Sequence, residues 1–305
     1  MPIDNTVMSE FISVKEASIQ WNLSERTVRN DCSLGRVDGA ILMEKTWKIP
    51  VGTKKPIRAN EKEGKNYLLE RLRLEKKNQI KGGICHKLMI DLTFHSNHME
   101  GNKLTHDETR YIFETRTIGI EKNTSKKVDD ILETMNHFAA IDRVIDFANY
   151  PLSGAFIKEL HGILKSNTVD SRLPYFVVGD YKKMPNEVGG LETTRPRLVR
   201  SEMKKLLSQY SKKESHSLEE IVEFHVQFER IHPFQDGNGR MGRLIAFKEC
   251  LKNNLVPFII FDDKKAFYYR GLKNWDQERG WLMDTCLEGQ DIVKTYLDYF
   301  NIAYR

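Results

Sequence analysis

No stretch of the chain approaches the roughly 18–20 consecutive apolar residues that a membrane-crossing helix needs, so a helical membrane protein is not expected. The first residues, Met1-Pro-Ile-Asp-Asn-Thr, carry neither the basic patch nor the apolar run of a signal peptide, and the expected location is the cytoplasm. Cysteine is scarce. Cys32, Cys85, Cys250 and Cys286 lie far apart with no Cys-x-x-Cys pair, which argues against a disulfide framework or zinc site and for single buried thiols. Internal repeats and low-complexity tracts are absent. A large charge excess is also lacking. The net +5 over 305 residues permits a nucleic-acid partner without arguing for one. What remains is a chain that is 40% hydrophobic, rich enough for a packed core and long enough for two domains.

Three stretches read differently. In the first, Ser13 and Ser24 each stand where a helix N-cap belongs, and Trp21-Asn22-Leu23 joins the two short helices they open. Two helices so joined are the sequence form of a helix-turn-helix. Gly35-Arg-Val-Asp-Gly39 is turn chemistry, and Ile41-Leu-Met43 with Lys45–Pro50 can form the two strands of a wing. The second stretch, Val51 to Lys65, lacks apolar periodicity and reads as a linker. The third runs to the C-terminus with helical periodicity. Ile84, Leu88 and Leu92 fall four apart. Val128, Ile131, Leu132 and Met135 share a face, as do Leu218, Ile221, Val222 and Val226 behind a Ser217/Glu220 capping-box spacing. One interruption, Leu173 to Val199, predicts a β-hairpin or extended flap, with Tyr175–Val178 and Arg197–Val199 as its apolar ends. Boundaries follow at 1–52 for the small winged domain, 53–80 for the linker and a connecting helix, and 81–305 for the main domain.

The chemistry concentrates in residues 231–243. Pro233 forbids continuation of the helix that ends near His232. Asp236-Gly-Asn-Gly239 can turn its amides inward as an anion-binding nest, and Arg240-Met-Gly-Arg243 resumes a helix. The nest therefore lies at a helix N-terminus, where free N–H groups and the macrodipole favour phosphate. Arg240 and Arg243, three apart, share a helix face and can hold further phosphate oxygens. Asp236 is a hard oxygen ligand suited to Mg²⁺ shared with a nucleotide. His232 is the group fitted for general-base work near neutrality. An EF-hand is excluded because its spacing would want acids where Arg240 and Phe247 stand, and a Walker A motif because no Gly-Lys-Ser/Thr follows.

The segment His232-Pro-Phe-Gln-Asp-Gly-Asn-Gly-Arg-Met-Gly-Arg243 resembles the signature of the Fic (Fido) family, His-Pro-Phe-x-Asp/Glu-Gly-Asn-Gly-Arg-x-x-Arg, with every specified position filled. The resemblance covers roughly residues 85–290 and implies a mainly α fold: a helical core with a β-hairpin flap. It further implies a protein adenylyltransferase that moves AMP from ATP to a Ser, Thr or Tyr hydroxyl of a target protein, or of itself. By that resemblance His232 deprotonates the hydroxyl and Asp236 holds Mg²⁺. Gly237, Asn238 and Gly239 cradle phosphate, Asn238 and Arg240 orient the nucleotide, and Arg243 clamps the γ-phosphate. Phosphoryl-transferring relatives carry Lys where this chain has Gly239. Members of the family often form homodimers.

A second segment, Ser96-Asn-His-Met-Glu100-Gly101-Asn102, should end a helix at Gly101-Asn102 and leave Glu100 in its last turn, where an acid opposes the dipole unless it meets a cation. The segment resembles the inhibitory motif of class II Fic proteins, Ser/Thr-x-x-x-Glu-Gly/Asn, filled here by Ser96, Glu100 and Gly101. That resemblance pairs Glu100 with Arg243 and implies an autoinhibited enzyme; in some relatives the same Glu supports removal of AMP. His95 and His98 read as structural. Gly179-Asp-Tyr-Lys-Lys183 resembles the family's segment leading into the flap, with Lys182 or Lys183 in place of the usual Arg, and puts Val188, Gly189 and Gly190 in the flap. Ala266–Leu272 resembles the helix walling the adenine pocket, with Tyr268 and Tyr269 as candidates. Residues 11–50 resemble an excisionase/MerR-type helix-turn-helix, through Ser13–Ala17, Leu23–Arg29, Gly35–Ala40 and Trp47–Pro50. Arg26, Arg29 and Asn30 are its DNA-contact candidates. The rival expectation is a DNA-binding regulator whose second domain senses nucleotide or acts as a toxin-like module.

Overall fold

A computed structural model of the chain describes residues 11–21, 23–33, 37–43, 46–55, 66–119, 125–188 and 191–304. The chain divides into two compact units, Met1–Glu63 and Gly64–Arg305.

In the first unit, β1 (Phe11–Ser13) leads into α1 (Val14–Trp21) and α2 (Glu25–Ser33), followed by β2 (Ile41–Met43) and β3 (Thr46–Pro50). The serine caps form as the sequence requires. Glu16 N–H donates to Ser13 Oγ at 3.2 Å while the Glu16 carboxylate accepts from Ser13 N–H at 2.7 Å, and Thr27 N–H donates to Ser24 Oγ at 3.0 Å. The strands make an antiparallel sheet in the order β1-β3-β2, with Ile12 opposite Ile49 and Leu42 opposite Trp47. Val14, Ala17, Trp21, Val28, Cys32, Val37 and Ile49 form its small core. Sequence periodicity gave no sign of β1, a three-residue strand stabilised by pairing with β3.

The second unit is helical: α3 (Tyr67–Lys77), α4 (Ile84–Met99), α5 (His106–Thr115), α6 (Val128–Phe147), α7 (Gly154–Leu164), α8 (Pro196–Tyr210), α9 (Leu218–Ile231), α10 (Asn238–Lys252), α11 (Lys265–Lys273) and α12 (Gly280–Tyr299). A hairpin of β4 (Glu187–Val188) and β5 (Leu191–Glu192) precedes α8. The expected tip residues Gly189 and Gly190 lie outside the described residues. The four cysteines are buried and free.

α10 organises this unit. It is buried on nearly every face, as a helix at the centre of a core must be. Met241, Leu244, Ile245, Phe247 and Leu251 enter one hydrophobic cluster with α3, α4, α6, α7, α9 and α12. Ala246 and Cys250 enter another, with Ile221, Tyr268, Trp275 and Leu282. Its buried charges are paired: Lys248 Nζ meets Glu249 at 2.8 Å and donates to the Tyr150 carbonyl at 2.7 Å.

The flap region departs from the sequence expectation. Tyr175–Val178 forms turns rather than a strand, and Arg197–Val199 is the first turn of α8. Pro196 at the start of that helix fixes φ where no donor is needed, and a helix brings Val199 and Met203, four apart, onto one buried face. Among the described residues of this region, only the short β4–β5 pair forms strands. No helix among the described residues is long and apolar enough to cross a membrane.

Candidate active site

The loop between α9 and α10 is built by local backbone chemistry. Ser217 and Glu220 close a capping box at the start of α9. At its other end His232 adopts φ 51°, in the left-handed region, and its N–H donates to the Phe228 carbonyl at 2.9 Å. Pro233 follows, and its carbonyl accepts from Lys182 N–H at 2.8 Å. Phe234 is wholly buried and stacks on the His161 ring at 3.9 Å. Gly237 takes φ 79° and opens α10, a conformation open to glycine at no steric cost.

The Asn238 side chain is held within the loop. Its Oδ1 accepts from Phe234 N–H at 2.8 Å and its Nδ2 donates to the Phe234 carbonyl at 2.9 Å. Both ends of the buried amide are spent on shaping the loop, so the side chain acts as an internal brace.

Asp236, Arg240, Glu133 and Lys165 form one charged cluster. Asp236 Oδ2 lies 2.7 Å from Lys165 Nζ and 3.2 Å from Arg240 Nη2, and Glu133 meets Lys165 at 2.8 Å and Arg240 at 2.7 Å. Burial alone would raise the Asp236 pKa, but the charges of Arg240 and Lys165 win and bring it down to about 2. Asp236 is thus ionised at any physiological pH. Lys165 and Glu133 escaped the sequence reading because nothing in Leu164-Lys-Ser166 or Leu132-Glu-Thr134 distinguishes them from ordinary surface positions. Lys165 is only 1% exposed. Lys165→Met leaves Asp236 and Glu133 short of a buried counter-charge, and about 3 kcal/mol of unfolding free energy should go with it, read by urea denaturation. An unchanged midpoint would show that the cluster does not need this ammonium.

Arg243 points the other way, and it is 4% exposed. Its Nη2 lies 2.7 Å from Glu100 Oε1 and donates to the Ser96 carbonyl at 2.9 Å, while Nε donates to Ser96 Oγ at 2.9 Å. Glu100 is the C-cap of α4, followed by Gly101 at φ 95°. Its carboxylate escapes the unfavourable end of its own helix by reaching the opening turn of α10, where a negative charge is favoured. A Cβ on Gly239 would collide with Glu100 Oε1, so the acid sits directly on the backbone of that turn.

His232 is half-buried. Burial, with the Lys182 ammonium nearby, lowers its pKa to about 4, and its Nδ1 lies 3.3 Å from the Glu229 carbonyl. The imidazole is therefore neutral near pH 7, the form a general base requires. Lys182 itself bonds Asn186 Oδ1 and Thr193 Oγ1, each at 2.6 Å, and so braces the base of the hairpin. His161, also missed from sequence, accepts Gly179 N–H at Nδ1 (2.9 Å) and meets the Asp236 carbonyl through Nε2 (3.2 Å); burial takes its pKa to about 4.

A cavity of about 730 Å³ opens between the hairpin, the C-terminal half of α9 and α11. Val188, Thr193, Val226, Glu229, Lys265 and Tyr269 are among its walls. Of the two tyrosine candidates only Tyr269 lines it. Tyr268 is fully buried, with its hydroxyl 2.6 Å from His225 Nε2, because the α11 face it occupies packs into the core. His95 and His98 meet the two oxygens of Asp262 at 2.9 and 2.8 Å and so tie α4 to the segment before α11, the structural role expected of them.

A helical core, a central helix opening on a glycine loop and a short hairpin beside it together define the Fic fold, and comparison bears this out. A Fic domain-containing signaling protein from Bacteroides thetaiotaomicron superposes with a TM-score of 0.57 at 23% identity, over 77% of this chain and 91% of that one. A Fic family protein from Desulfovibrio desulfuricans superposes at 0.58 with 22% identity, over 77% and 73%. Residues 151–249 match the model of the Fic/DOC family, so this part of the chain is a Fic domain. Among curated proteins the chain is similar to the protein adenylyltransferase Fic of Drosophila mojavensis, 27% identical over 184 residues, 59% of this chain and 35% of that protein. The Drosophila melanogaster protein of the same name is 26% identical over the same length. The chain spans about a third of the length of these relatives.

Proposed function

We propose that the Fic domain transfers AMP from ATP to a Ser, Thr or Tyr hydroxyl of a target protein, and that Glu100 holds it in check. The observation that carries the second half is the occupation of Arg243: its guanidinium, placed at the first turn of α10, is already paired with a carboxylate and two Ser96 oxygens. For the first half, support comes from the ionised Asp236, the neutral His232 and the glycine backbone of Gly237 and Gly239 on one loop, and from a cavity large enough for a nucleoside whose wall includes Glu229, three residues before His232.

In this mechanism the target hydroxyl oxygen attacks the α-phosphorus and His232 takes its proton. The bond from the α-phosphorus to its bridging oxygen breaks, and pyrophosphate leaves. The opening turn of α10 holds the phosphates through backbone N–H groups, and Arg243, once free, clamps the γ-phosphate. Asp236 fits Mg²⁺ as a hard, permanently ionised oxygen donor, although the metal must share it with Lys165 and Arg240. The metal would supply charge neutralisation along the triphosphate. Tyr269 walls the base cavity, and the β4–β5 hairpin offers the target an edge strand. The scheme requires Arg243 even with the brake removed, so Arg243→Ala in the Glu100→Gly protein should cut transfer of labelled AMP by about 100-fold or more. Transfer persisting at the Glu100→Gly rate would refute the clamp.

For the first unit, α1, α2 and the strand pair support the reading as a winged helix-turn-helix. Arg26 and Arg29 are exposed on α2, Arg29 is bonded to Glu25 at 2.6 Å, and Asn30 is half-buried. DNA is the partner this reading proposes, and salt-sensitive promoter binding lost in Arg29→Ala is its test. The wing strand β2 argues the other way, since it exposes Ile41, Leu42 and Met43 rather than cations.

A further inference from the structure

Outside the loop and its cavity, the charge of the protein is unevenly placed. Residues 195–213 hold seven Lys and Arg against the single acid Glu202, a local charge of +6, whereas the entire chain carries +5. α8 and the turn after it are thus one of two strongly basic segments; in the other, residues 54–87, eleven Lys and Arg stand against four acids. α8 buries only Val199 and Met203. Arg197, Arg200, Lys204, Lys205 and Lys212 are exposed, and none makes an ion pair or side-chain hydrogen bond among the described residues. Like charges three and four apart on a helix repel, so the stripe Arg197–Arg200–Lys204 costs the fold stability, offset among the described residues only by the attraction of Arg200 for the Asp180 carboxylate. Arg200 and Lys204 also line a cavity of about 590 Å³ whose other walls include Lys158, Tyr181 and Ser208.

The position of this face is as telling as its charge. Thr193, Thr194 and Arg195 are all that separate β5 from α8. Tyr181 in the cavity wall precedes Lys182, whose N–H is bonded to the Pro233 carbonyl in the catalytic loop. A protein segment paired with β5 would lie next to the three residues that lead into α8, which at 15 residues extends about 22 Å. Resting on the reading of this domain as a protein-modifying enzyme, we propose that α8 is a docking surface for an acidic segment of the target protein, seated on the Arg197–Arg200–Lys204 stripe and the cavity beside it. The hairpin pairs with backbone and carries little side-chain code. The α8 charge supplies the selectivity and the faster encounter that hairpin pairing lacks. A nucleic acid would satisfy the charge equally, but it offers no hydroxyl-bearing strand to the hairpin.

The test uses the full chain and a fluorescein-labelled peptide of alternating Glu and Gly, followed by anisotropy. It should bind at about 50 mM salt and be released by about 300 mM. R200E/K204E should weaken binding about tenfold or more, with R200Q/K204Q intermediate. K54E/K55E, in the first unit, changes the net charge by the same amount as R200E/K204E and should move affinity by less than about twofold. Equal effects of the two reversals would overturn the proposal, as would no binding at low salt. So would tighter, α8-dependent binding of a labelled single-stranded oligonucleotide. The measurement needs no transfer, so it stays readable if the adenylyl-transfer reading fails. If transfer does occur, a Thr peptide with an acidic flank should show a raised KM and unchanged kcat in R200E/K204E.

Discussion

Glu100→Gly raises AMP transfer, scored by self-modification with labelled ATP, by about tenfold or more over the unaltered protein. The reason is competition for one guanidinium. In the resting protein Arg243 is bonded to Glu100 and twice to Ser96, and the Glu100 carboxylate rests against Gly239, on the turn where phosphate is to bind. ATP must displace that carboxylate or lie with its γ-phosphate unclamped, and a difference of only about 1.4 kcal/mol between the two arrangements is a tenfold rate effect. A second reading accompanies the first. Removing Glu100 leaves Arg243 buried without its counter-charge, so the variant should melt at a lower temperature when empty. It should also gain more from added ATP than the unaltered protein does, because the ligand now supplies the missing negative charge. Unchanged transfer in Glu100→Gly would sink the brake, and a larger ATP shift with no transfer would leave the binding site but not the chemistry.

His232→Ala, made in the Glu100→Gly background, removes the base and should slow transfer by roughly 100- to 10,000-fold, while ATP binding stays within about twofold. Its pH behaviour is the sharper signature. Burial and the nearby Lys182 ammonium put the imidazole near 4 rather than its ordinary 6.5, so the neutral, proton-accepting form persists down to that pH. As pH falls through about 4 the ring takes up a proton and kcat/KM falls with it. The acid limb of the free enzyme therefore lies well below 6.5, and the His232→Ala protein lacks it. An acid limb at 6.5, or one that survives in His232→Ala, would assign the proton to another group.

Much of the site was legible because it is local. A twelve-residue run fixes its own backbone: Pro233 stops a helix, Gly237 permits a left-handed turn, and α10 restarts with its arginines one turn apart. The end of α4 was legible for the same reason, since Gly101 terminates the helix and makes Glu100 its cap. The flap was less so. The apolar runs Tyr175–Val178 and Arg197–Val199 suggested an extended flap across 173–199, but at the second end Pro196 and the four-residue spacing of Val199 and Met203 favour a helix once there is a core to bury them against. The tyrosines of α11 were adjacent and indistinguishable in sequence; a turn of 100° per residue sends Tyr268 into the core and leaves Tyr269 on the cavity.

The sequence by itself determined the loop chemistry, the caps of α1, α2 and α9, and the acid poised at the end of α4, since each depends on residues a few positions apart. Only the tertiary structure decided who meets whom. Glu100 and Arg243 are 143 positions apart, as Asp236 and Lys165 are 71, and neither pairing is encoded in spacing. They arise because α10, buried on nearly all sides, must satisfy its arginines inside the protein, and the acids that can do so are those that α4, α6 and the loop before α10 bring there.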